Sequence, residues 1–136
     1  LADDEPDILF LVTDLLESNL ECEIKTAVNG NEAFYIASKE LFDIIITDHR
    51  MPESTGADFI NEIRENQWSN HQTPVILLSA YGEEAKLILA RLDNVFFLDK
   101  NKYFEKLVPY VKMILKSKNL ASSPITMPNS KSTNVK

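Results

Sequence analysis

With a single cysteine, Cys22, the 136-residue chain can form no internal disulfide and no cysteine-based metal cluster. Cys22 reads as a small apolar side chain in a reducing compartment. Long apolar runs are missing too. No stretch approaches the roughly 18 residues that a membrane-spanning helix needs, and no cleavable leader pattern is visible. A cytoplasmic location is the expectation. Basic residues are scarce: Lys and Arg number 14 against 21 Asp and Glu, a formal charge of −7. The last twenty residues hold Lys118, Lys131 and Lys136 and no acid, so residues 1–116 carry 11 − 21 = −10. Without a Lys/Arg patch, direct binding to nucleic acid or to an anionic membrane is not expected. The length suits one domain with a full hydrophobic core.

What is present is an alternation of strand-like and helix-like patterns. Pro6 suits a first helical turn, and Ile8, Leu11, Val12, Leu15 and Leu16 follow at helical spacing. Residues 24–28 read as a short strand stopped by Asn29-Gly30, and Ala33, Phe34, Ile36 and Ala37 fit a second helix. Ile44, Ile45 and Ile46 are β-branched and continuous, as a strand buried on both faces should be. Phe59, Ile60 and Ile63 predict a third helix closed near Asn66, then residues 74–78 another buried strand. Residues 83–92 read as a fourth helix and 95–98 as the last strand. Tyr103, Leu107, Tyr110, Val111 and Ile114 stripe the final helix, where Pro109 is expected to introduce a bend. Such alternation implies a parallel sheet covered on both faces. From Ser117 onward Ser, Pro, Asn and Lys dominate, so residues 117–136 are expected to be a disordered tail or linker after a domain of residues 1–116.

The chemistry gathers at predicted strand ends. Asp48 closes the run 43–47 and is followed by His49-Arg50-Met51-Pro52 and then Gly56. In open parallel sheets the ligand crevice lies outside the carboxyl ends of the strands. Asp3, Asp4 and Glu5 stand just before Pro6, Ser79 follows Leu77-Leu78, and Lys100 lies two residues past Leu98. Each has a plainer reading. The acids could serve a helix N-terminus, Asp48 and Ser79 could be turn formers or caps, and Lys100 could be a surface lysine. Their joint occurrence in this order favours a divalent-metal and phosphoryl site, because Mg²⁺ takes one or two carboxylates, waters and phosphate oxygens. Crowded carboxylates repel one another, and a cation relieves this.

The set resembles the receiver domain of two-component response regulators. That family carries an acidic pair after strand one and a phosphorylated Asp after strand three, followed by x-x-Met-Pro-x-x-x-Gly. A Ser/Thr-Ala follows strand four and a Lys follows strand five. Here Asp3 and Asp4 match, then Asp48 with Met51, Pro52 and Gly56, then Ser79-Ala80, then Lys100. The resemblance covers residues 1 to about 116. It implies an α/β, flavodoxin-like (βα)₅ domain, a parallel five-stranded sheet of order 2-1-3-4-5 with helices on both faces and its ligand at the switch point. It implies that Asp48 accepts a phosphoryl group from a histidine kinase or histidine phosphotransfer protein. Mg²⁺, or Mn²⁺, would be held by Asp3, Asp4, Asp48 and the Arg50 carbonyl. Lys100 and Ser79 would each take a phosphoryl oxygen. Ser79 and Phe97 would form the switch, changing the face of helix four, strand five and helix five for a downstream protein or a second copy of the chain. Tyr103, Leu107, Tyr110 and Leu92 are the apolar candidates on that face. Arg50 and Tyr81 occupy the two variable positions that flank the phosphoryl group and tune its hydrolysis. Such a protein catalyses its own phosphorylation and dephosphorylation without being a conventional turnover enzyme.

Two departures stand out. Lys100 is followed by Asn101 where the family has Pro. The chain also begins at Leu1, so most of strand one, central in this fold, is absent from it. Three or four buried aliphatics at about 1.5–3 kcal/mol each would rival a domain's net ~5–15 kcal/mol, and preceding residues are therefore expected. The rival reading is a pseudo-receiver, an interaction module without phosphate turnover, which would be expected to lose Asp48, Ser79 or Lys100. A haloacid-dehalogenase-like phosphatase would need Asp at position 50, where Arg50 stands.

Overall fold

A computed structural model describes residues 1–65, 69–80 and 93–121. The helix expected over 83–92, the side chains of Tyr81, Leu92 and Tyr103, and the segment from residue 122 lie outside the described residues.

Three parallel strands, Ile45–Asp48, Val75–Ser79 and Val95–Asp99, form a sheet in that order. The first two, β-branched and leucine-rich, are buried along their whole length, whereas Val95–Asp99 is mostly half-buried. The expected strands one and two contract to single bridges. Ala2 pairs in parallel with Thr47 on one side and Ala27 on the other. Ala2 donates to Ile46 O at 2.8 Å and accepts from Asp48 N at 2.8 Å, while Ala27 donates to Leu1 O at 2.9 Å and accepts from Asp3 N at 3.0 Å. The lateral sequence of segments is therefore 27, 2, 47, 77, 97, which is the flavodoxin-like order 2-1-3-4-5.

Side-chain alternation along the strands separates two apolar layers. Ile45, Val75 and Leu77 face one way and pack with Ala33 and Ala37 of the helix Gly30–Lys39 and with Phe59, Ile60 and Ile63 of the helix Gly56–Glu65. Ile44, Ile46, Ile76 and Leu78 face the other way, against Val12 and Leu16 of the helix Pro6–Asn19 and Leu107, Val111 and Ile114 of the helix Tyr103–Ala121. Helix starts are set by local chemistry. Pro6 opens the first helix. Asn29 accepts from Glu32 N at 2.8 Å while Glu32 accepts from Val28 N at 3.2 Å, a reciprocal cap. Thr55 and Asp58 exchange the same kind of bonds.

Composition misplaces the end of the last helix, which passes the boundary drawn at Lys116 and reaches Ala121. Pro109 lies inside it without ending it. Leu107 is fully buried and leaves none of the apolar area expected of it, whereas Tyr110 is half-buried against the core. Among the described residues, Phe104 and Met113 are the exposed large apolar side chains of this helix, at 59% and 53%.

Candidate functional site

The ladder itself delivers Asp48 to the carboxyl edge of the sheet. Its amide donates to Ala2 O, the next amide, His49 N, donates to Leu78 O at 2.9 Å, and its side chain is buried. The chain then turns back sharply. Ser54 N donates to Pro52 O at 2.7 Å and Gly56 N to His49 O at 2.8 Å, with Glu53 held at φ 69° between them. A Cβ at position 56 would run into the Asp48 carbonyl and come 2.9 Å from Leu77 Cδ1, so only glycine lets the helix start this close.

Asp3 arrives from the bridge segment beside Asp48. Its Oδ1 accepts from Glu5 N at 2.9 Å, but its Oδ2 is buried with no hydrogen-bond donor. Asp4 is exposed beside it, and carboxylate oxygens of Asp3, Asp4 and Asp48 lie within 4.8 Å of one another. From the far strand, Lys100 reaches across: Nζ is 3.0 Å from Asp48 Oδ2, 3.7 Å from Glu5 Oε1 and 3.8 Å from Asp3 Oδ2. Ser79, buried at its strand end, lines with Asp48, His49, Arg50, Ala80 and Lys100 a cleft of about 60 Å³. That volume suits an ion with a few waters or one small anion, not the ligand of a typical ~300–1,000 Å³ pocket.

The charges are unbalanced. Burial raises Asp3 from 3.8 to about 6, with Asp48 and Asp4 adding to the effect and the Glu5 amide and Lys100 opposing it. Burial also raises Asp48, against the hydrogen bond and charge of Lys100. For Lys100 burial works downward, but Asp48, Asp3 and Glu5 together raise it. One ammonium serves these carboxylates, and they keep a demand for positive charge.

The structure thus brings together Asp3, Asp4, Asp48, Ser79 and Lys100. Arg50 is exposed at the rim of the cleft. Phe97, the ladder partner of Leu77, is half-buried against the apolar layer beneath. Sequence reasoning did not anticipate that Glu5 would join the lysine, nor that Asp99 would act on the turn carrying Lys100. The available signal was adjacency alone: an acid one residue before the lysine.

Comparison with known proteins agrees with this geometry. The response regulator receiver domain profile matches residues 1–112. The response regulator protein PilR of Pseudomonas aeruginosa is 32% identical over 120 residues, 88% of this chain and 26% of its own length. The transcriptional regulatory protein SrrA of Staphylococcus aureus is 35% identical over 88 residues, 65% of this chain and 34% of its own. The chain therefore spans about a quarter to a third of these curated relatives. Among solved structures, the receiver domain of Francisella response regulator 1452 superposes with a TM-score of 0.74 at 28% identity, covering 86% of this chain and 94% of that one. The chemotaxis response regulator CheY4 of Vibrio cholerae gives 0.74 at 29%, covering 83% and 93%. Among the described residues no helix is long and apolar enough to cross a membrane. The chain belongs to the response regulator receiver domain family of two-component signal transduction.

Proposed function

We propose that Asp48 is the phosphoacceptor of this receiver. The observation that carries the reading is the 3.0 Å contact of Lys100 Nζ with a buried Asp48 carboxylate, beside two further carboxylates. A carboxylate oxygen of Asp48 attacks phosphorus of a phosphohistidine, the P–N bond breaks, and the imidazole leaves with its electron pair and takes up a proton. Lys100 stays within reach of a phosphoryl oxygen, and the Ser79 hydroxyl at the same cleft donates to another.

Asp3, Asp4, Asp48 and the Arg50 carbonyl would hold Mg²⁺ or Mn²⁺. The fit rests on a hard oxygen donor set, the buried donorless Asp3 Oδ2 and the clustering of the three carboxylates. When bound, the ion supplies the positive charge that the phosphoryl oxygens and the crowded acids require. The donor is a histidine kinase or phosphotransfer protein. Phosphorylation draws Ser79 inward and lets Phe97 repack, a shift between two populations that alters the last strand and the final helix for a downstream protein or a second copy. Exposed Phe104 and Met113 are the apolar contacts that helix offers.

Incubation with a small-molecule phosphodonor tests the reading. Acid-labile label is expected with Mg²⁺, and loss of it with chelator or in Asp48→Asn. Undiminished labelling of Asp48→Asn would refute the assignment.

A further inference from the structure

Nothing in the transfer described above uses Asp99, yet its position is unusual. It ends the strand Val95–Asp99, pairs in the ladder with Ser79, and is half-buried. Its Oδ1 accepts the Asn101 amide at 2.9 Å, closing a two-residue Asx turn around Lys100. Lys100 begins the short 3₁₀ turn Lys100–Lys102 that leads into the final helix. A lysine is a flexible stem with much rotamer freedom. Where its ammonium goes depends on where its backbone points the stem.

The residue after the lysine explains why a restraint is needed. A proline at that position would fix φ through its ring and present no amide hydrogen. Asn101 does neither: no ring fixes its φ, and its exposed N–H is free to donate, which it does to Asp99 Oδ1. We propose that Asp99 is a positioning residue, whose carboxylate does through the Asn101 amide what a proline ring would do covalently: it holds the turn that aims Lys100 at Asp48. What the Asp99 carboxylate is seen to hold is the Asn101 amide, and replacing it by Asn separates that contact from its charge.

This inference rests on the phosphoacceptor reading, and the test separates the two. Parent, Asp99→Ala and Asp99→Asn are labelled with a small-molecule phosphodonor at saturating Mg²⁺, and Mg²⁺ affinity is measured for each. Loss of one positioning hydrogen bond should slow labelling of Asp99→Ala by about fivefold to tenfold, with Mg²⁺ affinity changed by less than about twofold because Asp99 is not among the clustered acids. Asp99→Asn keeps the Oδ1 acceptor without the charge and should label within about twofold of the parent. Rescue by Asn distinguishes the turn from a general structural loss. Asp99→Ala labelling at the parental rate would overturn the inference alone, as would Asp99→Asn as slow as Asp99→Ala. A parent that takes no label would remove the phosphoacceptor reading and this inference with it.

Discussion

The two ends of the sheet are built on opposite terms. At the amino end of the strands, buried Asn70 donates to Ala37 O at 2.6 Å and Glu40 O at 2.7 Å, and accepts from Phe42 N at 2.8 Å and Thr73 Oγ1 at 2.9 Å. Beside it Arg64 donates to the carbonyls of Thr73 at 2.6 Å, Asn70 at 3.1 Å, Asp93 at 3.2 Å and Asn94 at 3.4 Å. These side chains tie three loops together through backbone groups, of which those bonded by Asn70 near Ala37 and Phe42 are buried. At the carboxyl end, Asp3 Oδ2 is buried with no donor, and the acids around Lys100 outnumber it. One end satisfies its polar groups and holds the fold. The other keeps a demand for positive charge that a bound cation would meet, and it is the end at which the phosphoacceptor reading places the chemistry.

The comparison breaks most visibly at Asn70. Asn70→Ala leaves the Phe42 amide and two carbonyls without their partner, and at about 1–3 kcal/mol per buried unsatisfied group the loss should be roughly 3 kcal/mol or more. Urea unfolding should show it, while the labelling rate below the transition should match the parent. Slowed labelling with unchanged stability would mean that the two ends are not separate in role.

Asp3→Asn probes the other end with a smaller effect. A carboxyl raised from 3.8 to about 6 binds its proton more tightly folded than unfolded, so its contribution to stability declines as pH rises through that window and levels off above it. Without divalent ions, Asp3→Asn should therefore gain on the parent between about pH 4 and 6 and keep that gain at pH 7. Added Mg²⁺ should raise the parent's midpoint more than the variant's. Parallel stability–pH curves would show that Asp3 carries no such penalty.

The smallest effect is expected at the rim. In the phosphoacceptor reading, exposed Arg50 would hold a phosphoryl oxygen and narrow the path of the attacking water. Phosphorylated parent should decay about twofold more slowly than Arg50→Asn with Tyr81→Ala, followed in Mg²⁺ without kinase. Equal or slower decay in the double variant would show that these side chains give no shielding.

Much of this is legible in the order of residues. Ile44 to Ile46 and the run from Val75 announce buried parallel strands, because continuous β-branched and leucine runs suit a strand covered on both faces. Asp3, Asp48, Ser79 and Lys100 can be placed because a strand's end is a local property of its apolar run. Leu107 is misjudged because a helical stripe shows that one face is buried, not which neighbour covers each residue. The end of the final helix is misjudged because Ser117 to Ala121 have weak local signals and follow the turns before them.

The chain by itself determined the order of elements, the family and the residues brought to the carboxyl edge, since these follow from short-range periodicity and spacing. Tertiary structure alone decided which of those groups meet. Lys100 and Asp48 are 52 residues apart and 3.0 Å in space, and Arg64 and Asn94 are joined across 30 residues. Such contacts depend on strand register and on where each turn releases the chain, and no window of sequence contains both partners.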